Sequence, residues 1–348
     1  MKKIKLGFVG VGFMGQLAHL SNYAALSDEC EIVAITEARK QMGEDIARRY
    51  GVKNVFTDLK EMLRNTEIDA VVASQSYANH INIVPDILDA KKPVLTEKPL
   101  CVSVENGEIL VNCANKNQTL HMVGYHKRSD PAMEYAKKTI EQWKASGEYG
   151  NMKLVRITMP PGDWVGGAPK PYFTDEQYPQ IQWEQMPEYF GKTTGDAYNA
   201  FVNYYIHQVN AMRFLLGESY KITFADKSGV LMAVESESGI CGTLEMASFS
   251  TSIDWQESLF IGFEKGYIIV ELPAPLASQQ AGRVTIMRDN GKGVPVTLQP
   301  HMPKLSAMRN QAKNFLAAVR GERSAPCESK EALEDLKIAK EYIQLWKK

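Results

Sequence analysis

Two side chains in this sequence are of the right type for proton chemistry. Lys98 stands in TEKPL and His207 in YNAFVNYYIHQVNAMRFLLGE. Lys98 follows an apolar strand-like run and precedes Pro99, whose ring fixes one backbone dihedral and lacks an N–H donor. An ammonium held there can hydrogen-bond a hydroxyl and stabilise the alkoxide that forms as the hydroxyl loses its proton. With a lowered pKa it can also take that proton. His207 brings an imidazole, the side chain whose unperturbed pKa suits a general base near neutral pH. Asn203, His207 and Asn210 fall at i, i+4 and i+7, which makes one polar stripe on a largely apolar helix. The asparagines can position the histidine or bind hydroxyls, but neither is a carboxylate base. The bland alternatives are a lysine in an exposed turn and a hydrogen-bonded core histidine.

The elements that must position these groups begin at the N-terminus. IKLGFV reads as a short strand and runs directly into GVGFMG, so Gly10, Gly12 and Gly15 have the G-x-G-x-x-G spacing, with Phe13 and Met14 inside the turn. The first glycine allows the tight turn, the second lets a pyrophosphate approach the backbone, and the third lets helix and strand pack closely. The following run, QLAHLSNYAAL, supplies a helix N-terminus with N–H groups for phosphate oxygens. A second strand, EIVAIT, ends at Glu37, whose carboxylate can accept the hydroxyls of an adenosine ribose and would repel a ribose phosphate. NAD is therefore expected rather than NADP, although Arg39 nearby weakens the preference. Further strands and helices alternate as far as QTLHMVGY, which predicts a parallel sheet covered on both faces. Ligands of such sheets bind beyond the carboxyl ends of the strands. The segments 10–15, 74–80 and 96–99 should meet there, which adds Ser74, Ser76, His80, Glu97 and Lys98 to the glycine loop and Glu37 as cofactor-binding candidates.

The totals restrict the partners. The chain has 348 residues, room for two domains, and its 40 basic against 41 acidic residues give a net charge of -1. No basic excess points to nucleic acid, and no run approaches the roughly 20 apolar residues that cross a bilayer. The five cysteines and six histidines form no short metal-ligand signature. The expectation is a reduced, cytoplasmic protein without a bound metal.

The order of motifs adds a resemblance. Gly10-x-Gly12-x-x-Gly15, the Ser76-to-His80 loop, Glu97-Lys98-Pro99 and the VGYHKRSDP segment together resemble the Gfo/Idh/MocA oxidoreductase family, over almost the whole chain. The resemblance implies an α/β protein: an N-terminal Rossmann domain and a C-terminal α/β domain built on an open, mostly antiparallel sheet. It also implies NAD(P)-dependent chemistry on a sugar, inositol or related polyol, and a homodimer or homotetramer. Lys98 matches the family's active-site lysine and His207 the histidine of its D-x-x-x-H signature. Asn203 and Asn210 stand where carboxylates are frequent.

On this reading residues 1–125 bind the cofactor and 126–348 form a substrate-binding and oligomerisation domain, with C-terminal helices free to pack back on the first. MKLVRITMP, YKITFAD, GVLMAVESES, GICGTLEMASFS and ESLFIGFEKGYIIVEL read as its strands, and a helix over 305–319 is expected to cover part of it. Residues 160–192 make a long irregular interruption rich in aromatic residues, the pattern of a lid or binding loop for a carbohydrate. Aromatic residues also anchor subunit contacts. The substrate candidates are Asn203, Asn210, Tyr125, His126, Trp164 and Tyr178. The expected reaction is hydride exchange between a secondary alcohol and NAD. A redox-neutral glycosidase or lyase working through a 3-keto sugar is the first alternative, with Tyr125, His126, Tyr178 and Tyr205 as further acids and bases. A nucleotide-binding protein that has lost catalysis is the second.

Overall fold

The computed structural model describes residues 2–247 and 249–347. Its first sheet contains β1 (Ile4–Val9), β2 (Cys30–Thr36), β3 (Asn54–Phe56), β4 (Ala70–Ala73), β5 (Val94–Thr96) and β6 (His121–Val123). They lie in the order β3-β2-β1-β4-β5-β6, with every pairing parallel. This is the doubly wound arrangement in which the strand order, not the strand direction, reverses between β1 and β4, and sheets of this order take dinucleotides at that crevice. Helices on both faces account for the fully buried β4 and β5. Leu6, Phe8, Ile35, Val72 and Leu95 form the core together with Phe315 and Leu316 of the helix Ala307–Val319. That helix therefore covers the first sheet from Ala312 onward, where the sequence had suggested cover for the second. Its apolar stripe fits either surface, and only packing decides.

The second sheet contains β7 (Met152–Thr158), β8 (Tyr220–Ala225), β9 (Leu231–Ser236), β10 (Cys241–Glu245), β11 (Ser258–Phe263), β12 (Gly266–Glu271), β13 (Arg283–Arg288) and β14 (Val296–Leu298). The order is β14-β13-β12-β11-β7-β10-β9-β8; only β7 and β10 run parallel. One face carries the helices Pro131–Ser146 and Gly191–Leu216. Trp143 packs edge-on against Phe263 with ring centres 5.1 Å apart, and Gly242 leaves room for the Met212 thioether. On the other face Arg156 lies over the Phe260 ring, which stacks on Tyr267.

Two compact units result. The first comprises the chain up to Tyr125 with Pro169–Gly191 and Gln311–Leu336; the second comprises His126–Ala168, Lys192–Asn310 and the chain from Lys337. The aromatic interruption is therefore divided, and its larger part belongs with the nucleotide-binding sheet rather than with the substrate domain to which 126–348 had been assigned. The helix Gly191–Leu216 also starts earlier than its apolar pattern, because Gly191 through Ala197 continue it as a weakly helix-forming first two turns. Among the described residues no helix is long and apolar enough to cross a membrane.

Candidate functional site

The glycine loop can be tested by asking what a side chain would meet at each position. Gly10 has φ +84°, where an L-residue is strained, and its N–H donates to the Thr36 carbonyl at 2.8 Å. A Cβ on Gly15 would lie 2.7 Å from the Gly10 carbonyl oxygen and 2.9 Å from the Ser74 hydroxyl. At Gly12 the sole heavy atom within 4 Å is an Arg39 guanidinium nitrogen, 3.8 Å away. The first and third glycines are thus consumed by folding, whereas the face of the second is open. An open backbone face on the turn before a helix, here the π-helix Gly15–Leu20 and its continuation Ser21–Ala24, fits a pyrophosphate. Phe13 and Met14 are half-buried within this turn. The residues present fit a dinucleotide.

Glu37 closes the end of β2. It is 2% exposed; one carboxylate oxygen accepts the Val11 N–H at 2.9 Å and the other the Arg39 Nε–H at 2.9 Å. The carboxylate therefore ties the glycine loop to the end of β2, where an adenosine ribose would lie. Sequence spacing suggested the ribose contact but not this second task.

A strap formed by Pro169–Gly191 runs over the same unit. Gln16 and Tyr172 exchange two hydrogen bonds at 2.9 Å, side-chain amide to backbone, and the Tyr172 hydroxyl donates to Asp45 at 2.6 Å. Glu176 accepts the N–H groups of Gln41 and Met42, the first turn of the helix Lys40–Tyr50. The Arg39 guanidinium lies 4.8 Å over the Tyr178 ring, which stacks with Trp183. Farther along, Asn82 donates to the Gln182 carbonyl, and Glu184 accepts the N–H groups of Val102 and Ser103. Tyr178, expected among the substrate contacts, is thus placed beside Glu37 and Arg39 at the adenosine end. Burial, with the Glu37 charge adding to it, pushes its phenol pKa up, which removes it as a base.

Lys98 follows β5 and is half-buried. Three cofactor-binding candidates lie behind it and turn inward. Glu97, 7% exposed, accepts from His19 at 2.7 Å and from the Lys98 N–H at 3.2 Å. Burial alone would raise its pKa; the His19 hydrogen bond and charge, with Lys98, hold it below the ordinary carboxylate range. His80 is fully buried, with Nδ1 on the Leu100 carbonyl at 2.9 Å, and burial lowers its pKa. Ser74 donates to the Gly10 carbonyl at 2.6 Å. These three brace the turns on either side of the crevice: both Glu97 oxygens, the Ser74 hydroxyl and His80 Nδ1 are taken by backbone or by another side chain. Ser76 is exposed at the start of the turn Tyr77–Asn79. His19 was missed as a site residue; its place one turn beyond Gly15 was the available signal. Tyr125 is buried at the end of this unit.

In the second unit the polar stripe grades from surface to core. Asn203 is exposed, His207 is 9% exposed and Asn210 1%. His126 meets His207 edge-to-face with ring centres 4.5 Å apart. Arg128 donates to both the side-chain and main-chain oxygens of Asn210. Asn210 is therefore packed as a partner of Arg128, not presented as a contact for sugar hydroxyls. Beneath the stripe, Gln208 and Lys127 donate to the buried Glu257. Gly162 donates its N–H to the Tyr204 hydroxyl at 3.1 Å, which ties the segment carrying the partly exposed Trp164 to the helix next to Asn203. Tyr205 donates to the Met246 carbonyl, and burial pushes its pKa well up, so it too is unsuited as a base. Among the described residues no group of three or more His, Cys, Asp or Glu could hold a metal ion.

Comparison with known proteins agrees with this geometry. Residues 4–125 match the Gfo/Idh/MocA model described as "Oxidoreductase family, NAD-binding Rossmann fold". Over 244 residues the chain is 24% identical to the Myo-inositol 2-dehydrogenase of Thermotoga maritima, an alignment covering 70% of this chain and 63% of that relative. The match thus spans less than two thirds of that relative's length. The fold is similar to that of a levoglucosan dehydrogenase in complex with NADH, with TM-score 0.75 and 16% identity, covering 99% of this chain and 97% of the other. An apo scyllo-inositol dehydrogenase from Lactobacillus casei gives TM-score 0.70 at 18% identity, covering 99% and 96%.

Proposed function

We propose that this chain, whose residues 4–125 match the Gfo/Idh/MocA oxidoreductase model, is an NAD-dependent oxidoreductase acting on a secondary hydroxyl or keto group of a sugar, glycoside or polyol. The open Gly12 face beside Glu37 carries this reading. Room for a pyrophosphate, with the Glu37 carboxylate beside it available to ribose hydroxyls, supports NAD over NADP. Inositol and levoglucosan dehydrogenases among the similar proteins support the substrate class. When bound, nicotinamide supplies the hydride acceptor or donor. Lys98 hydrogen-bonds the reacting hydroxyl and stabilises negative charge on its oxygen. His207 takes or returns the proton, with its ring orientation fixed by His126. Asn203 and Trp164 offer hydrogen bonds and an aromatic face to the sugar. The reacting protein is expected to be a homodimer or homotetramer.

A second reading, redox-neutral cleavage of a glycoside through a 3-keto sugar, is favoured by one observation. The strap spans from Gln16 to Asn82 across the crevice, an arrangement suited to retaining the cofactor between turnovers. One experiment separates the two. The purified protein is mixed with NAD and a panel of polyols, sugars and glycosides while absorbance at the reduced-nicotinamide band and product release are followed. Growth of the band supports net dehydrogenation. Glycoside cleavage that needs NAD without growth of the band supports the second reading, and neither signal on any substrate refutes both.

A further inference from the structure

We infer that Glu176, a residue of the strap, is a cofactor-specificity determinant that acts with Glu37 to exclude a 2′-phosphate. The inference rests on the dinucleotide reading above and extends it to a residue more than a hundred positions from the nucleotide motif.

A 2′-phosphate on the adenosine ribose would project from the end of β2 toward the start of the next helix. Three features of that corner matter to an anion: the first-turn N–H groups of the helix Lys40–Tyr50, the Arg39 guanidinium and any carboxylates. The N–H groups of Gln41 and Met42 are aimed at Glu176, which accepts them at 3.4 and 3.2 Å. The helix dipole that could favour a phosphate therefore already faces a carboxylate. Arg39 is likewise engaged, with its Nε–H on Glu37 and its plane on the Tyr178 ring. Both attractions for a phosphate are answered by carboxylates from within the protein. A dianionic group there would meet the carboxylates of Glu37 and Glu176, with the Arg39 guanidinium already paired to Glu37. The ribose hydroxyls of NAD carry no charge and meet no such opposition.

The strap is held at this corner by contacts that do not involve Glu176. Tyr172 is fixed by Gln16 and Asp45, and Tyr178 by Arg39. Neutralising Glu176 should accordingly leave the strap docked by those contacts, and a glutamine oxygen can still accept one of the two helix N–H groups. Glu184 is the internal control. It makes the same kind of bond from the same strap to another helix start, at Val102 and Ser103.

The test titrates the purified full-length protein with NADH and NADPH and follows nicotinamide fluorescence, so that it reads binding and not turnover. Glu176→Gln is expected to tighten NADPH by about tenfold, ~1.4 kcal/mol, with NADH changed less than about twofold. Glu184→Gln is expected to leave the NADPH-to-NADH ratio unchanged. An unchanged ratio in Glu176→Gln overturns the assignment. An equal gain in both variants also overturns it, because the effect would then belong to docking of the strap and not to charge at the ribose. If the unmodified protein binds neither nucleotide, the dinucleotide reading itself fails; if it binds NADPH as tightly as NADH, that reading stands and the exclusion by Glu176 falls.

Discussion

Alanine at Gly12 and alanine at Gly15 are the same chemical change three residues apart, yet they should have opposite consequences for the folded protein. A Cβ at Gly12 would find one atom within 4 Å, an Arg39 nitrogen at 3.8 Å, and the residue is not among those with positive φ. The substitution is thus compatible with the fold, and loss of backbone freedom in the unfolded chain should leave stability unchanged or raised by about 0.4–1 kcal/mol. The new methyl group would instead occupy the space that the pyrophosphate needs. If the loop must shift to readmit it at an overpacking cost of about 1–3 kcal/mol, NADH affinity falls by roughly 5- to 150-fold. At Gly15 the Cβ would stand 2.7 Å from the Gly10 carbonyl oxygen, a backbone atom that cannot swing aside, and 2.9 Å from the Ser74 hydroxyl. There the overpacking cost falls on the fold itself, so Gly15→Ala should lose about 1–3 kcal/mol of stability and cofactor affinity with it. Urea unfolding read by tryptophan fluorescence gives the stabilities, and NADH titration gives the affinities. The reasoning is refuted if Gly12→Ala binds NADH like the unmodified protein, or if it is destabilised as much as Gly15→Ala.

Lys98→Ala and His207→Ala should each depress turnover far more than they weaken NADH binding. Steady-state rates beside NADH titrations check this, and full turnover in either variant removes that residue from the chemistry. Acid should destabilise the first unit through its buried histidines. Burial, with His80 nearby, lowers the His121 pKa to about 3, and burial lowers that of His80 too. The neutral form is the one that folds, so this stabilisation is complete above the unfolded value of about 6.5 and is lost as pH falls toward 3. Each such histidine costs up to about 1.4 kcal/mol per pH unit in that window. Urea unfolding at pH 7 and pH 5 should therefore show a shallower loss in His121→Gln than in the unmodified protein, and equal losses refute the buried-neutral assignment.

The parts of this protein legible in its sequence are those written in local spacing. The glycine spacing, the acid at the end of β2 and the alternation of strands and helices are each decided within a few residues, and the first sheet follows them. The stripe of Asn203, His207 and Asn210 was legible as a helical face for the same reason. Its gradient was not, because the burial of Asn210 depends on Arg128, 82 residues away in sequence. The inward turn of Ser74, His80 and Glu97 was equally hidden. Ser74 and Glu97 each follow a strand and His80 opens the helix His80–Asp89, places where spacing fixes the position of the backbone but not the direction of the side chain. The Gly10 carbonyl, the Leu100 carbonyl and His19 settle that direction.

The strap was the largest departure, and its cause is physical. Irregular chain carries no period, so its aromatic residues could be read for a sugar, for a subunit or, as the structure has it, for the adenosine end of the cofactor's own domain. Tyr172 and Tyr178 fix it there through Gln16, Asp45 and Arg39, and two acids answer backbone N–H groups beside them: Glu176 in the first turn of the helix Lys40–Tyr50, and Glu184 at Val102 and Ser103, just ahead of the helix Val104–Asn117. An unregular segment with carboxylates at separate points has a reason to dock wherever helices begin. In a doubly wound sheet those beginnings are gathered at the carboxyl ends of the strands, where the cofactor binds. The same geometry that makes the crevice attractive to a phosphate makes it attractive to an acidic strap, so a chain that brings its own carboxylates to that edge also influences which phosphates are left room.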